Sequence, residues 1–315
     1  MKALLHFRAS HRLRERLAAI TEPAVAIVDP QDEAGFARER MDAEVLLHVL
    51  TPVTAAMIAA MPRLRLIQKI GVGVNTIDRA AAAGAGVEVA NMPGTNTVAV
   101  AEHTLALMLA VLRRIASLDT AMRLGEGWAV TADAAEALGE LNGARIGFLG
   151  YGAVPQRLAP ALLALGADSL FWNRSARPDA AARQVGFDDL LASADILSLH
   201  LPLAPETQHI LDVPAIARMK HGAIVVNTAR GKLIDQGALA RALRQGRLAG
   251  AGLDVFEDEP YIDTGELTSI PTVVMSPHIA WLTPQTLERS LGVIVENCRR
   301  LAAGKPLLHR AAQNP

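Results

Sequence analysis

The sequence predicts an α/β protein made of two parallel-sheet domains, and three observations carry that expectation. At 315 residues the chain is long for one compact core and suits two. Short apolar runs alternate with alanine-rich helical stretches almost from end to end, the pattern of strands joined by helical crossovers. A glycine turn, GFLGYGAVP (147–155), follows an apolar strand pattern and opens a helical one.

Taken in order, KALLHF (2–7), AVAIV (24–28), EVLLHV (44–49), LRLIQKI (64–70) and VEVA (87–90) read as strands. Helices are expected at 10–19, 54–60 and 78–83. The 3.6-residue period is clearest over 97–124, which reads as one long helix that joins domains or packs on a partner chain. A second strand series follows at 144–150, 169–173, 194–201, 222–228, 250–256 and 272–278. A last helix is expected at 284–303 and should return to the first domain.

Composition bounds the function. Apolar residues make up 51% and charged ones 20%, as in a well-buried soluble protein. A net charge of -1, from 31 basic and 32 acidic side chains, offers no basic block for nucleic acid or an anionic membrane. The single cysteine, Cys298, cannot form a disulfide within the chain and fits a reducing compartment. The N-terminus has no apolar core of a signal peptide, and the run at 104–112 is too short to span a bilayer. A soluble, cytoplasmic protein is expected. No His/Cys/Asp cluster has metal-ligand spacing.

In the glycine turn, Gly150 can make the tight bend, and Gly152 lets backbone approach a pyrophosphate. The amides of Tyr151, Ala153 and Val154 then face that anion at a helix start. Pro155 takes the place of the usual third glycine, which is compatible with a first helical turn because its missing N–H has no intrahelical partner. Pro160 lies deeper and is expected to bend the helix or interrupt its hydrogen bonding. An ordinary strand–helix turn is the alternative reading. Twenty-one positions beyond Gly152 the chain reads Asn173-Arg174-Ser175, then Arg177, where a site for NAD carries a carboxylate against the ribose. Guanidinium and hydroxyl groups there suit a 2′-phosphate, so NADP(H) is expected, with NAD(H) as the alternative.

Three further segments end strands: VVNTARGKLID with Arg230, AGLDVFEDEP with Glu259, and VVMSPHIAW with His278. The carboxyl ends of parallel strands line the ligand crevice, so these side chains could converge. Together with GVGVNTID (71–78), VANMPGTNTVAVAEHTLALML (89–109), LNGARIGFLGYGAV (141–154) and HLPLAPETQHIL (200–211), they resemble the D-isomer-specific 2-hydroxyacid dehydrogenase family over nearly the whole chain. The resemblance implies a flavodoxin-like substrate domain, 1–98 plus 284–315, and a Rossmann dinucleotide domain, 99–283. It also implies an active site in the interdomain cleft and a homodimer held largely by the cofactor domains.

The same resemblance implies roles. Arg230 binds the carboxylate and carbonyl of a 2-keto acid, His278 gives or takes the proton, and Glu259 pairs with His278. Val72, Gly73 and Val74 receive the substrate carboxylate through backbone amides. Asp254 meets the nicotinamide carboxamide, while His200, Leu201, Pro202, Thr207, Thr228 and Ala229 border the cofactor. Asn75 stands where the family pattern has aspartate. His103 reads as a structural residue, and the remaining histidines have no supporting context. Leu50 and Pro52, in the loop where relatives acting on phosphorylated substrates carry arginine, suggest a small or apolar pocket, and Trp281 adds bulk beside His278. Glyoxylate or hydroxypyruvate is therefore the expected substrate. Alternatives are a larger aliphatic or aromatic 2-keto acid, an unusual donor such as formate or phosphite, and a nucleotide-sensing protein like the family's corepressors.

Overall fold

The computed structural model describes residues 1–128, 135–178, 180–262 and 265–311. Two compact units emerge: Met1–Asn96 with the chain from Thr283 onward, and Thr97–Leu282.

The first unit carries β1 (Lys2–His6), β2 (Ala24–Val28), β3 (Val45–His48), β4 (Leu66–Lys69) and β5 (Glu88–Ala90). They form one sheet in the order β2-β1-β3-β4-β5, and every pair is parallel. Strands buried on both faces must be apolar throughout, which is why β3 reads Val-Leu-Leu-His with all four residues buried. Helices α1 (His11–Ala18), α2 (Glu33–Glu39), α3 (Ala55–Ala59) and α4 (Arg79–Gly84) each begin at a polar cap. Ser10, Asp32, Thr54 and Asp78 accept the amide of the third helical residue in turn, satisfying a donor that the helix leaves orphaned.

In the second unit lie α5 (Thr97–Leu112), α6 (Ile115–Arg123), β6 (Arg145–Leu149), α7 (Ala153–Ala164), β7 (Asp168–Trp172) and β8 (Arg183–Gln184). Then come α8 (Phe187–Ser193), β9 (Ile196–Leu199), α9 (Val213–Arg218), β10 (Ala223–Asn227), α10 (Gln236–Arg244), β11 (Leu248–Leu253) and β12 (Val273–Met275). The sheet order is β12-β11-β10-β9-β6-β7-β8, again parallel throughout. Strand order reverses between β6 and β9, so the carboxyl ends of those two strands open the crevice where a doubly wound sheet binds its ligand. Phe148, Leu197 and Val225 are fully buried in the central strands. Each such side chain contributes about 1.5–3 kcal/mol, which holds the strand register and with it everything the strand ends carry.

The last helix, α11 (Pro284–Ala302), belongs to the first unit. Its buried Asn297 donates to Gln68 Oε1 at 2.7 Å and accepts the Leu308 amide at 2.7 Å, tying helix and following chain to β4.

Two expectations need correction. The long helix over 97–124 is two helices, because Arg114 takes a left-handed conformation, φ 51°. There the Leu112 carbonyl accepts the amide of the distant Gly139 at 3.0 Å and the Arg114 amide turns back to Val111, so the helical ladder cannot run on. Pro160 interrupts the hydrogen bonding of α7, as expected, yet the helix continues to Ala164. The proline sits on the exposed face with Gln156, whose carbonyl loses its intrahelical partner and is left where water can serve it. β11 closes at Leu253, not 256: the Asp254 amide makes the last bond to β10, at the Asn227 carbonyl, and the Phe256 amide goes to the Glu259 side chain instead. Helix α2 and the two-residue β8 were not anticipated.

Candidate active site

The glycine turn leaves β6 at the sheet's switch point. Gly150 has φ +95°, and an added Cβ would stand 2.9 Å from both the His200 carbonyl oxygen and Leu201 Cδ2. Only glycine fits that bend beside the β9 exit. At Gly152 a Cβ would meet nothing within 4 Å, so the space in front of the α7 N-terminus is open. No side chain caps that terminus and its first turn holds no acid. The amides of Ala153 and Val154 therefore face open space with the positive end of the helix behind them, a cradle that fits a pyrophosphate. Tyr151 is buried against Phe171, with ring centroids 4.2 Å apart, and packs the turn from behind.

Asn173 follows directly on β7, and Arg174, Ser175 and Arg177 are exposed at its exit. Asn173 Nδ2 donates to the Ser175 carbonyl at 3.0 Å, and Gln184 bridges the same turn from β8. Two guanidinium groups and a hydroxyl thus project from an ordered turn that carries no carboxylate.

Arg230, Glu259 and His278 all belong to the second unit, at the exits of β10, β11 and β12. His278 Nδ1 donates to Glu259 Oε2 at 2.6 Å, while Glu259 Oε1 accepts the Phe256 amide at 3.0 Å. Burial alone would raise the Glu259 carboxyl. The His278 bond and charge, the Phe256 amide and the Arg230 charge outweigh it and hold the group below its ordinary value. The Arg230 guanidinium is pushed down by burial and up by Glu259, and stays charged. Its position is set by Asn227, fully buried, which donates to the Arg230 carbonyl at 2.8 Å and accepts the Ala229 amide at 3.0 Å. Thr228 hydrogen-bonds Thr104 of α5 at 2.9 Å. An imidazole tied at one nitrogen, with a carboxylate and a half-buried cation nearby, can bind an anion and exchange a proton from the other nitrogen.

His278 stands in the left-handed region, φ 53°, which only a firm framework holds for such a residue. That framework is Asp254. Its backbone carbonyl accepts the His278 amide at 2.8 Å, Oδ1 accepts Ser276 Oγ at 2.6 Å and the Ile279 amide at 2.9 Å, and Oδ2 accepts the Ala280 amide at 2.9 Å. His103 reaches Ser276 Oγ at 2.8 Å and extends the network into α5. With its side chain 1% exposed, Asp254 is engaged with the protein's own backbone. Its expected contact with a nicotinamide is thus a proposal, and the geometry supports a framework role. Trp281, also buried, donates from Nε1 to the His278 carbonyl at 3.1 Å, so its bulk lies under the turn.

On the β9 side, burial pushes His200 down to about 3, so the ring is neutral, and Nε2 pairs with Ser198 Oγ at 2.8 Å. Thr207 accepts the Ala204 amide at 2.8 Å and donates to the Pro202 carbonyl at 2.7 Å, shaping the loop that Leu201 and Pro202 begin. Sequence reasoning missed His209, whose Nε2 lies 2.6 Å from Glu257 Oε1, next to the catalytic-loop candidates. Nothing in the local sequence signals that pairing.

In the first unit, Leu50 and Val72 are exposed at the ends of β3 and β4. Burial and the Lys69 charge push His48 down to about 3, and its Nε2 bonds the Thr51 carbonyl at 2.8 Å, fixing the Leu50 turn. Asn91 holds the Val72 carbonyl at 2.8 Å, and Met92 holds that of Gly71 at 2.8 Å. Among the described residues no acceptor serves the amides of Val72, Gly73 or Val74. Nor, among those residues, does any His/Cys/Asp/Glu group form a metal cluster or any helix reach the length and apolarity to cross a membrane.

Comparison with known proteins agrees with this geometry. The profile of the D-isomer specific 2-hydroxyacid dehydrogenase NAD binding domain matches residues 105–280. A glyoxylate reductase of Aeropyrum pernix is 39% identical over 272 residues, covering 84% of this chain and 81% of that protein. A D-3-phosphoglycerate dehydrogenase of Mycobacterium leprae is 38% identical over 284 residues, but the chain spans only 53% of its length. The crystal structure of the TT0316 protein from Thermus thermophilus superposes with a TM-score of 0.87 at 33% identity, over 99% of this chain and all of that one. Glycine turn, strand-end residues and overall likeness point the same way: the chain belongs to the D-isomer-specific 2-hydroxyacid dehydrogenases, oxidoreductases with an NAD(P)-binding domain.

Proposed function

We propose that the protein reduces a small 2-keto acid, of the glyoxylate or hydroxypyruvate kind, to the D-2-hydroxy acid, with NADPH as reductant. The observation that carries this reading is the 2.6 Å His278–Glu259 pair at strand ends that also present the half-buried Arg230. A reduced nicotinamide dinucleotide, when bound, supplies a hydride. Ala153 and Val154 would hold its pyrophosphate, and Arg174, Ser175 and Arg177 its 2′-phosphate.

Arg230 receives the keto acid's carboxylate and carbonyl oxygens through its planar fork and polarises the carbonyl. Because Glu259 occupies His278 Nδ1, the proton leaves from Nε2 to the carbonyl oxygen. The amides of Val72, Gly73 and Val74 offer unserved donors to a carboxylate. Leu50, an apolar side chain with no cation beside it in sequence, favours an unphosphorylated substrate, and the glyoxylate reductase relative supports the same choice.

A homodimer belongs to this reading. Helix α6 buries none of its residues and exposes Ile115 and Met122, with Leu124 and Trp128 just beyond, an apolar surface suited to a second copy. Light scattering that returned the mass of one chain at micromolar concentration would remove it.

The test of function follows dinucleotide oxidation with NADPH and NADH in parallel, across glyoxylate, hydroxypyruvate, pyruvate, phenylpyruvate and phosphohydroxypyruvate. Fastest turnover is expected with NADPH and one of the first two. Preference for NADH would overturn the reading of the 173–177 turn, and turnover of none would favour a nucleotide-sensing role.

A further inference from the structure

We propose that Gln184 is the positioning residue that sets the preference for a 2′-phosphorylated dinucleotide. This inference rests on the NADPH reading above, and nothing in the 173–177 turn's own sequence reveals it. In the short parallel pairing of β7 with β8, Gln184 stands opposite Phe171, so its side chain reaches the turn that leaves β7.

Its carboxamide spans that turn. Nε2 donates to the Asn173 carbonyl at 3.2 Å and the Ser175 carbonyl at 3.4 Å, while Oε1 accepts the Arg177 amide at 3.0 Å. Asn173 closes the same ring through its own bond to the Ser175 carbonyl. The backbone from 173 to 177 is pinned from one side chain, and the side chains of Arg174, Ser175 and Arg177 are left exposed. The arrangement needs both a donor and an acceptor on one residue, which an amide supplies and a carboxylate or hydrocarbon does not. Donors that start from a fixed backbone lose less entropy on closing around a phosphate, so the contribution appears as affinity for that phosphate alone.

Isothermal titration of the full chain with adenosine 2′,5′-bisphosphate and with adenosine 5′-monophosphate reads this directly, without turnover. Gln184→Met is expected to weaken the bisphosphate about tenfold, the loss of a few modest hydrogen bonds, and to leave the monophosphate within about twofold. Gln184→Glu keeps the acceptor but loses the donor and adds a negative charge, so it should weaken the bisphosphate further, and more at low salt than at high. In steady state the KM for NADPH should rise with kcat unchanged. Bisphosphate affinity unchanged in Gln184→Met, with the wild type still preferring the bisphosphate, would overturn the inference and leave the NADPH reading standing. Equal weakening of both ligands would also overturn it, by making Gln184 a residue of general stability. A wild type without preference for the bisphosphate ends the NADPH reading and this inference with it.

Discussion

Replacing His278 by asparagine is expected to lower kcat for keto-acid reduction about 10²–10⁴-fold, the range in which a positioned proton donor contributes. Asparagine is the informative choice because the backbone there has φ 53°, a conformation that asparagine tolerates far better than alanine or a branched residue. The Asp254 scaffold below the turn bonds only the backbone of His278, so it persists in the variant. Dinucleotide affinity should therefore change by less than about twofold, since the phosphate cradle lies on β6 and α7 and shares none of those bonds. Turnover that survives the replacement would place the proton donor elsewhere. Loss of turnover and cofactor binding together would mean that His278 holds the fold and not the proton.

Gly231→Ala is expected to destabilise the protein by about 3 kcal/mol or more, at the upper end of overpacking effects. An added Cβ would stand 1.9 Å from both the carbonyl carbon and the oxygen of Phe256 and 2.5 Å from the Glu257 amide nitrogen. These are backbone atoms, so no rotamer change relieves the contact. The segment that must yield runs from Phe256 towards Glu259, and the one that carries the new methyl begins at Arg230. Activity should thus fall with stability, through displacement of both groups. The midpoint of urea unfolding measures the first effect and kcat/KM the second. A variant within about 0.5 kcal/mol of the parent would show that the close approach of these two loops is not a feature of the folded protein.

Much of this architecture was legible in the sequence because buried parallel strands have no solvent face. Val-Leu-Leu-His in β3 and Ala-Ile-Val-Val-Asn in β10, buried at every residue, announce themselves as runs, and the structure matches those strands to within about a residue. Gly150 was legible for a related reason: a tight bend beside another strand's exit admits no side chain. What escaped depends on atoms far apart in the chain. The break at Arg114 is made where Leu112 meets Gly139, and no local period records that meeting. The bond that places Gln184 on the β7 exit crosses from an edge strand two residues long. The bonds from Ser276, Ile279 and Ala280 that make the Asp254 carboxylate the frame of the His278 turn likewise join residues more than twenty positions apart. By contrast, Asp32 ahead of α2 was a visible capping signal that periodicity alone passed over.

The central claim is that hydride from NADPH and a proton from His278 arrive on one carbonyl group whose acid is held by Arg230. Incubation with hydroxypyruvate and NADPH deuterated at the transferring nicotinamide carbon, read by mass spectrometry and chiral chromatography, tests it most directly. The account predicts D-glycerate carrying one deuterium at the former carbonyl carbon, formed in step with NADPH oxidation and nearly abolished in His278→Asn. Product of L configuration, deuterium lost to water, or an unimpaired His278→Asn variant would contradict it.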